Sequence, residues 1–82
     1  TSGSTFKNPI NQTKKKVWEL IRESVPLDTN FGDAHISEKH CNFFVNKNNA
    51  SFNDMKKLID FVKEGVEKKT GIKLEKEIKI LE

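Results

Sequence analysis

The sequence predicts a small α+β domain with two layers, in which the elements follow the order helix, strand, strand, helix, strand. Two segments carry apolar residues at helical spacing, two short aromatic and β-branched segments lie between them, and a final segment alternates apolar with charged residues. The 82 residues suffice for one domain with a modest core, so we expect residues 1–82 to form a single unit.

The first helix is predicted over residues 13–24, after a loop of residues 1–12 that is rich in Gly, Pro, Asn and Ser. Thr13 is the predicted N-terminal cap, and Pro26 is expected to end the helix. Lysines 14–16 at its start are interpreted either as solvated side chains or as a patch for phosphate or a partner domain. The predicted apolar stripe consists of Val17, Trp18, Leu20 and Ile21.

Two short strands are predicted over residues 34–37 and 43–46, after a polar connection that ends at Gly32 and Asp33. Both faces of the second strand carry a Phe, which suggests that one face lies against another domain. Residues 47–50 are expected to form a turn.

The second helix is predicted from Ser51 and Asp54, which have the spacing of a capping box, to a stop at Gly71. Its apolar residues at helical spacing are Met55, Leu58, Ile59, Val62 and Val66. The last segment is predicted to be a half-buried strand. Its apolar face would carry Ile72, Leu74, Ile78 and Ile80, and its charged face Lys73, Glu75, Glu77 and Lys79.

Composition excludes several classes of protein. No apolar run approaches the length of a bilayer span, and we expect no secretory signal, because a basic start followed by an apolar stretch is missing. Because the chain also lacks an initiating Met, we interpret it as a domain or fragment of a longer protein. Cys41 is the single cysteine, which precludes an internal disulfide, fits the cytoplasm and predicts a buried thiol. The spacing of His35, His40 and Cys41 matches no zinc pattern, so we expect no metal.

A possible ligand site lies in residues 3–9, which read Gly-Ser-Thr-Phe-Lys-Asn-Pro. Glycine before Ser4 lets the backbone turn tightly, and Lys7 and Asn8 add an ammonium and an amide on the same loop. This set of donors suits a multiply charged, oxygen-rich ligand. A polar loop with a Ser/Thr turn is the alternative interpretation.

Three segments, in order, resemble the UDP-N-acetylenolpyruvoylglucosamine reductase family. Residues 3–9 resemble its Gly-Ser-x-Phe-Lys-Asn-Pro signature. Residues 32–46 are similar to its Gly-Asp/Gly-Ala-x-Val-Ser-x-Lys-His-x-Asn-Phe-x-x-Asn block, and residues 71–79 resemble its closing Gly-x-x-Leu-Glu-x-Glu-Val-Arg. Because the three segments span nearly the whole chain, the resemblance implies the C-terminal substrate-binding domain of such a reductase.

The resemblance implies a reaction in which NADPH reduces bound FAD, and the enolpyruvyl double bond of UDP-N-acetylglucosamine enolpyruvate is then reduced to give UDP-N-acetylmuramate, a peptidoglycan precursor. It also implies two partners, the UDP-sugar and the FAD-binding domains of the same polypeptide, and no nucleic acid, membrane or metal. Because the chain has no dinucleotide-binding fingerprint, FAD would be bound mainly by those other domains. The isolated domain is therefore expected to be inactive.

The resemblance also implies roles for five residues. Ser4 matches the catalytic serine, a general acid, and Glu77 matches the catalytic glutamate, which polarises the substrate carboxylate. Lys7, Asn8 and His40 would contact or face the substrate. Each of two residues also has a structural interpretation. Glu77 would belong to an exposed charged strand face, paired with Lys73 and Lys79, and His40 would be a strand-end histidine bonded to backbone.

Residues 24–32 depart from the family pattern, because its Gly-x-x-Gly-x-Arg is missing there. The path of residues 25–31, and any ligand contact that they make, therefore stays open. The catalytic arginine of the family would lie outside this chain, since Arg22 does not match it.

A basic nucleic-acid-binding module is the rival function, because the chain carries a net charge of +3 and many lysines. Arginine is scarce, acidic residues are interleaved with the lysines, and no RNA- or DNA-binding signature is present. A mild positive field would equally assist the approach of a diphosphate.

Overall fold

The computed structural model describes residues 5–77, which form two helices and one three-stranded antiparallel sheet of order β1-β2-β3. The elements are α1 (Val17–Ser24), β1 (Asn30–Phe31), β2 (Ala34–Ile36), β3 (Phe44–Asn46) and α2 (Phe52–Thr70). The predicted α+β class is confirmed. The order of elements differs in two places, because β1 was not predicted and residues 71–77, the last that the structure describes, add no further strand to this sheet.

Helix α1 begins at Val17, later than predicted, and Thr13 does not cap it. The Thr13 hydroxyl, four positions before the helix begins, accepts from the Lys15 N–H at 3.1 Å. The N–H of Val17 instead donates to Asn8 Oδ1 at 3.0 Å, so a distant side chain satisfies the first turn. Of the predicted apolar stripe, Val17, Leu20 and Ile21 are buried and Trp18 is partly buried. The predicted end before Pro26 is confirmed, since Val25 is extended.

The loop after α1 turns at Pro26 and leads into β1. The Pro26 carbonyl accepts from the Thr29 N–H at 3.2 Å and from the Thr29 hydroxyl at 2.6 Å. Strand β1 then pairs with β2 across a two-residue turn, Gly32-Asp33, in which Gly32 has φ +58°. A glycine with positive φ at the first turn position is the pattern of a type II′ hairpin turn. The path of residues 25–31 is thereby defined.

Strands β2 and β3 follow the predicted segments closely. His35 lies opposite Val45 and Ile36 opposite Phe44, and the Ser37 N–H donates to the Phe43 carbonyl at 2.8 Å just beyond them. Phe44 points into the core, where its ring packs edge-on against the Phe6 ring with 6.0 Å between the ring centres. The sheet therefore presents its apolar face to the helices.

Helix α2 has the predicted ends. Ser51 Oγ accepts from the Asp54 N–H at 3.0 Å, and Asp54 Oδ2 accepts from the Ser51 N–H at 3.2 Å, which completes the capping box. Gly71 closes the helix in the left-handed conformation, with φ +77°. The helix packs on α1, β1 and β2, with Met55 partly buried. Its fully buried side chains are Leu58, Ile59, Val62 and Val66.

The segment after α2 pairs with the start of the chain. Phe6 and Lys76 form an isolated antiparallel bridge outside the three-stranded sheet. Leu74 is buried, as the predicted alternation requires, whereas Ile78 and Ile80 lie outside the described residues. Within residues 5–77, neither helix has the length and apolar character needed to cross a bilayer.

Candidate active site

The two ends of the described chain meet in a short antiparallel pair. The Glu77 N–H donates to the Thr5 carbonyl at 2.8 Å, and the Lys7 N–H donates to the Glu75 carbonyl at 2.9 Å. Thr5 directly follows Ser4 in the sequence, and Ser4 itself lies outside the described residues. The structure thus brings the neighbour of one predicted catalytic residue into backbone contact with the other, Glu77.

Asn42, to which the sequence analysis assigned no role, holds this pair in place. Its Oδ1 accepts from the Phe6 N–H at 3.1 Å, and its Nδ2 donates to the Phe6 carbonyl at 3.0 Å. Its own carbonyl accepts from the Thr5 N–H at 2.7 Å. In the sequence, the signal for this role is the position of Asn42 between Cys41 and Phe43. A polar side chain that is buried among apolar neighbours requires hydrogen-bond partners.

The Glu77 side chain is exposed, as is that of Glu75, whereas Leu74 is buried. Residues 5–77 contain one ion pair, between Lys15 and Glu23 at 3.0 Å, and no pair between Glu77 and Lys73. The alternative of a charged strand face paired with Lys73 therefore gains no support within the described residues, and Lys79, its other predicted partner, lies outside them. The Glu77 carboxylate is thus exposed, while its backbone is paired with Thr5.

Asn8 and Lys7 lie on the same short loop but in different environments. Both side chains are exposed, but Asn8 Oδ1 accepts from the Val17 N–H at the start of α1, whereas Lys7 contacts its neighbours through its backbone. Asn8 also lines a depression of about 300 Å³ together with Ile10, Thr13 and lysines 14–16. The Lys15–Glu23 pair is exposed, so it contributes little to stability. These contacts leave both interpretations of the three lysines open.

A larger cleft of about 870 Å³ opens between α1 and the turn that follows β2. The Arg22 guanidinium lies 4.8 Å from the centre of the Trp18 ring, at the wall of this cleft. Leu27 and Ile36 add apolar surface, and the rim carries both charge signs. Besides Arg22, the acidic, basic and imidazole side chains that line the cleft are Asp28, His35, Glu38, Lys39, His40 and Lys47. An aromatic wall with cations at the edge suits a ligand that combines a flat ring with negative charge.

His40 is exposed and lines this cleft, with its ring 4.6 Å from that of Phe43. Its backbone N–H donates to Ser37 Oγ at 3.3 Å. His40 thus lies in the turn after β2, and its ring borders the cleft. The bond to Ser37 involves the His40 backbone and not its ring, so it does not decide between the two interpretations. His40 and Asn8 line different depressions, so the structure does not bring the three predicted substrate contacts together.

Cys41 is buried, as predicted, and its Sγ–H donates to the Trp18 carbonyl at 3.0 Å. Burial raises the pKa of the Cys41 thiol, so it stays protonated at neutral pH. This bond ties α1 to the residues after β2 at the base of the cleft. Within residues 5–77, no group of His, Cys, Asp and Glu side chains is arranged to hold a metal ion.

The cleft and the paired ends are linked by one run of three residues. His40 and Cys41 line the cleft, and Asn42 binds Phe6 in the segment that pairs with Glu77. The geometry is that of a small α+β domain in which this run connects a charged cleft to the two converging ends of the described residues.

The chain belongs to the family described as "UDP-N-acetylenolpyruvoylglucosamine reductase, C-terminal domain", whose model matches residues 1–81. Curated proteins named UDP-N-acetylenolpyruvoylglucosamine reductase are similar to it. The protein from Pelagibacter ubique (strain HTCC1062) is 83% identical over 99% of this chain and 27% of its own length. The one from Wolbachia sp. subsp. Drosophila simulans (strain wRi) is 46% identical over 99% of this chain and 26% of its own length.

A protein of the same name from Rickettsia massiliae (strain Mtu5) is 44% identical over 96% of this chain. The chain spans about a quarter of the length of these curated relatives, since the matched share of them is 26–27%. The predicted family is confirmed.

Proposed function

We propose that this chain is the substrate-binding domain of an NADPH- and FAD-dependent reductase that converts UDP-N-acetylglucosamine enolpyruvate to UDP-N-acetylmuramate in peptidoglycan precursor synthesis. The family match over residues 1–81 supports the assignment. The observation that carries it is the backbone pairing of Thr5 with Glu77, because it supports the convergence that the chemistry needs. A cytoplasmic location follows from the substrate and cofactor, and forms part of the same proposal.

The flavin does not fit this chain's own residues. The four glycines, at positions 3, 32, 65 and 71, form no Gly-x-Gly-x-x-Gly loop, and the described cleft has a mixed-charge rim. We therefore assign FAD to the FAD-binding domains in the remaining three quarters of the polypeptide, where it supplies a hydride to the substrate. The residues of this chain would orient the substrate, stabilise the charge that develops on it and donate the proton.

In the proposed reaction the hydride adds to the methylene carbon of the enolpyruvyl double bond. The carbon beside the substrate carboxylate then gains carbanion character, and a proton from Ser4 Oγ completes the reduction. A hydroxyl is a weak acid, yet a carbanion-like enolate is a strong base, so placement of the donor outweighs its pKa. The exposed Glu77 carboxylate would polarise the substrate carboxylate. Because two carboxylates repel, this contact requires a proton or a cation, here assigned to the rest of the polypeptide.

The larger cleft is assigned to the UDP portion of the substrate. Arg22, Lys39 and Lys47 at its rim would offset the charge of the diphosphate, and His40 would face the sugar nucleotide from the end of β2. Lys7 and Asn8 would contact the substrate from the loop that follows Ser4. A nucleic-acid partner gains no support, because the cleft is local and its cations are interspersed with Asp28 and Glu38.

The decisive experiment replaces Ser4 with Ala in the full-length enzyme. Flavin reduction by NADPH should proceed at the normal rate, while product formation slows by roughly 10²–10⁴-fold because the proton donor is lost. Stopped-flow absorbance would follow the flavin, and product would be quantified by chromatography. Ser2→Ala, which removes a hydroxyl without an assigned role, is the matched control. Normal product formation in Ser4→Ala would rule out this proton donor.

The same proposal expects the 82-residue chain alone to show no NADPH oxidation when FAD is added. Steady turnover by the purified domain would contradict the division of labour between this domain and the rest of the polypeptide.

A further inference from the structure

We propose that Asn42 is a positioning residue for the reaction, because it sets the register of residues 5–7 against residues 75–77. It thereby holds Thr5, which directly follows Ser4 in the sequence, against Glu77. The inference rests on the proposed function for its catalytic consequence, and on described contacts for its geometry. Nothing in the motif comparison of the sequence assigns a role to this amide.

The Asn42 side chain pairs with Phe6 as a neighbouring strand would. It accepts from the Phe6 N–H at 3.1 Å and donates to the Phe6 carbonyl at 3.0 Å, which are the two bonds that a paired residue exchanges in an antiparallel ladder. A side chain of this size with one acceptor and one donor is specific to asparagine. Aspartate lacks the donor, and leucine lacks both.

These bonds lie in a dry environment. Asn42 is 5% exposed and Phe6 is 1% exposed, so water does not replace a lost partner there without a rearrangement. The Thr5 N–H adds a third bond to the Asn42 carbonyl at 2.7 Å. The segment that follows Ser4 is thus fixed on one edge by Asn42 before it meets the end of the chain on its other edge.

A shift of the Phe6 backbone would also shift the backbone of Glu77, because the two segments are paired. Phe6 stands opposite Lys76, between the Lys7–Glu75 bond of 2.9 Å and the Thr5–Glu77 bond of 2.8 Å. Both bonds depend on the position of the Phe6 backbone. Because Asn42 also follows the cleft residues His40 and Cys41, it holds the catalytic ends at a fixed offset from the cleft.

The kinetic test uses the full-length enzyme with Asn42→Ala and with Asn42→Leu, which keeps the side-chain volume and loses both bonds. Each variant should lower kcat at least tenfold, change KM for the UDP-sugar less than about threefold, and leave flavin reduction by NADPH unchanged. Val62→Ala is the control, because Val62 is 0% exposed in α2 and far in sequence from the paired ends. It should lose comparable thermal stability and keep kcat.

Normal kcat in both Asn42 variants, or an equal loss of kcat in Val62→Ala, would overturn the positioning role. Hydrogen exchange of the same full-length variants tests the geometry without turnover. The Lys7 and Glu77 amides should exchange at least tenfold faster in the Asn42 variants than in Val62→Ala, although neither amide bonds to Asn42. Unchanged exchange there would also overturn the inference. Failure of the wild-type enzyme to reduce the enolpyruvyl sugar would instead refute the proposed function, and exchange would still decide on Asn42.

Discussion

Arg22 and Trp18 stand one helical turn apart on α1, and together they form the wall of the larger cleft. The Arg22 guanidinium lies over the indole at 4.8 Å, an arrangement in which the negative face of the ring attracts the cation. The Cys41 thiol fixes the Trp18 backbone from the other side. The stacking contact places the guanidinium of an exposed arginine at the edge of the cleft.

Replacing Arg22 with Ala should raise KM for the UDP-sugar about five- to tenfold and leave kcat unchanged, because one rim cation for the diphosphate is lost while the chemistry is untouched. Stability should change little, since Arg22 is exposed. Steady-state kinetics of the full-length enzyme measure both constants. Lys57→Ala, an equal loss of charge on the exposed face of α2, is the control. Equal KM values in the two variants would contradict the assignment of this cleft.

The structural role of a residue was predictable from the sequence where it depends on neighbours along the chain, and not where it depends on distant residues. Ser51, Asp54 and Gly71 were predicted because caps depend on neighbours a few positions away. The roles of Asn42 and Asn8 were not predicted in this form. The Asn42 amide acts on Phe6, 36 positions away, and Asn8 caps a helix nine positions later. No periodicity or spacing rule reports such contacts.

At the scale of elements, strand β1 was not predicted, although the turn that joins it to β2 has a recognisable sequence. Strand β1 has two residues, which is too short for an alternating pattern to be recognised. The Gly-Asp pair between it and β2 was nevertheless the signature of a two-residue hairpin. Gly32 also packs against α2, because a Cβ there would lie 2.6 Å from Asp54 Oδ2.

Gly32→Ala should therefore destabilise the domain more than Gly71→Ala. Both residues have positive φ, for which an alanine costs about 1–2 kcal/mol. A Cβ at Gly71 meets open space, whereas one at Gly32 displaces the Asp54 carboxylate from its cap, which adds roughly 1 kcal/mol. Urea denaturation of the 82-residue chain gives both values. Equal losses would mean that Asp54 relaxes away from the new methyl group without cost.

For the whole molecule, the two ends of the described chain complete the core instead of fraying from it. Phe6 and Leu74 are each 1% exposed, and the Phe6 ring packs edge-on against Phe44. The alternation of the last segment predicted the burial of Leu74, and the three ordered motifs predicted that the ends share a site. Neither indicated that the partner strand would be residues 5–7, because pairing between distant segments depends on the fold as a whole.

Leu74→Ala provides the test at this scale. It should lower the free energy of unfolding by about 2–5 kcal/mol, as for a leucine in the middle of a core. Leu58→Ala in α2, where Leu58 is 0% exposed, is the matched reference, and Ile72→Ala at a half-buried position should cost distinctly less. Circular dichroism in urea measures all three. Because a domain of this size has only about 5–15 kcal/mol of stability, Leu74→Ala should visibly raise the unfolded fraction at 37 °C. The contrary outcome is that Leu74→Ala lowers the free energy of unfolding by less than about 1 kcal/mol while Leu58→Ala lowers it by about 2–5 kcal/mol. The pair formed by residues 5–7 and 75–77 would then open independently of the core, and the contact between Thr5 and Glu77 would be transient.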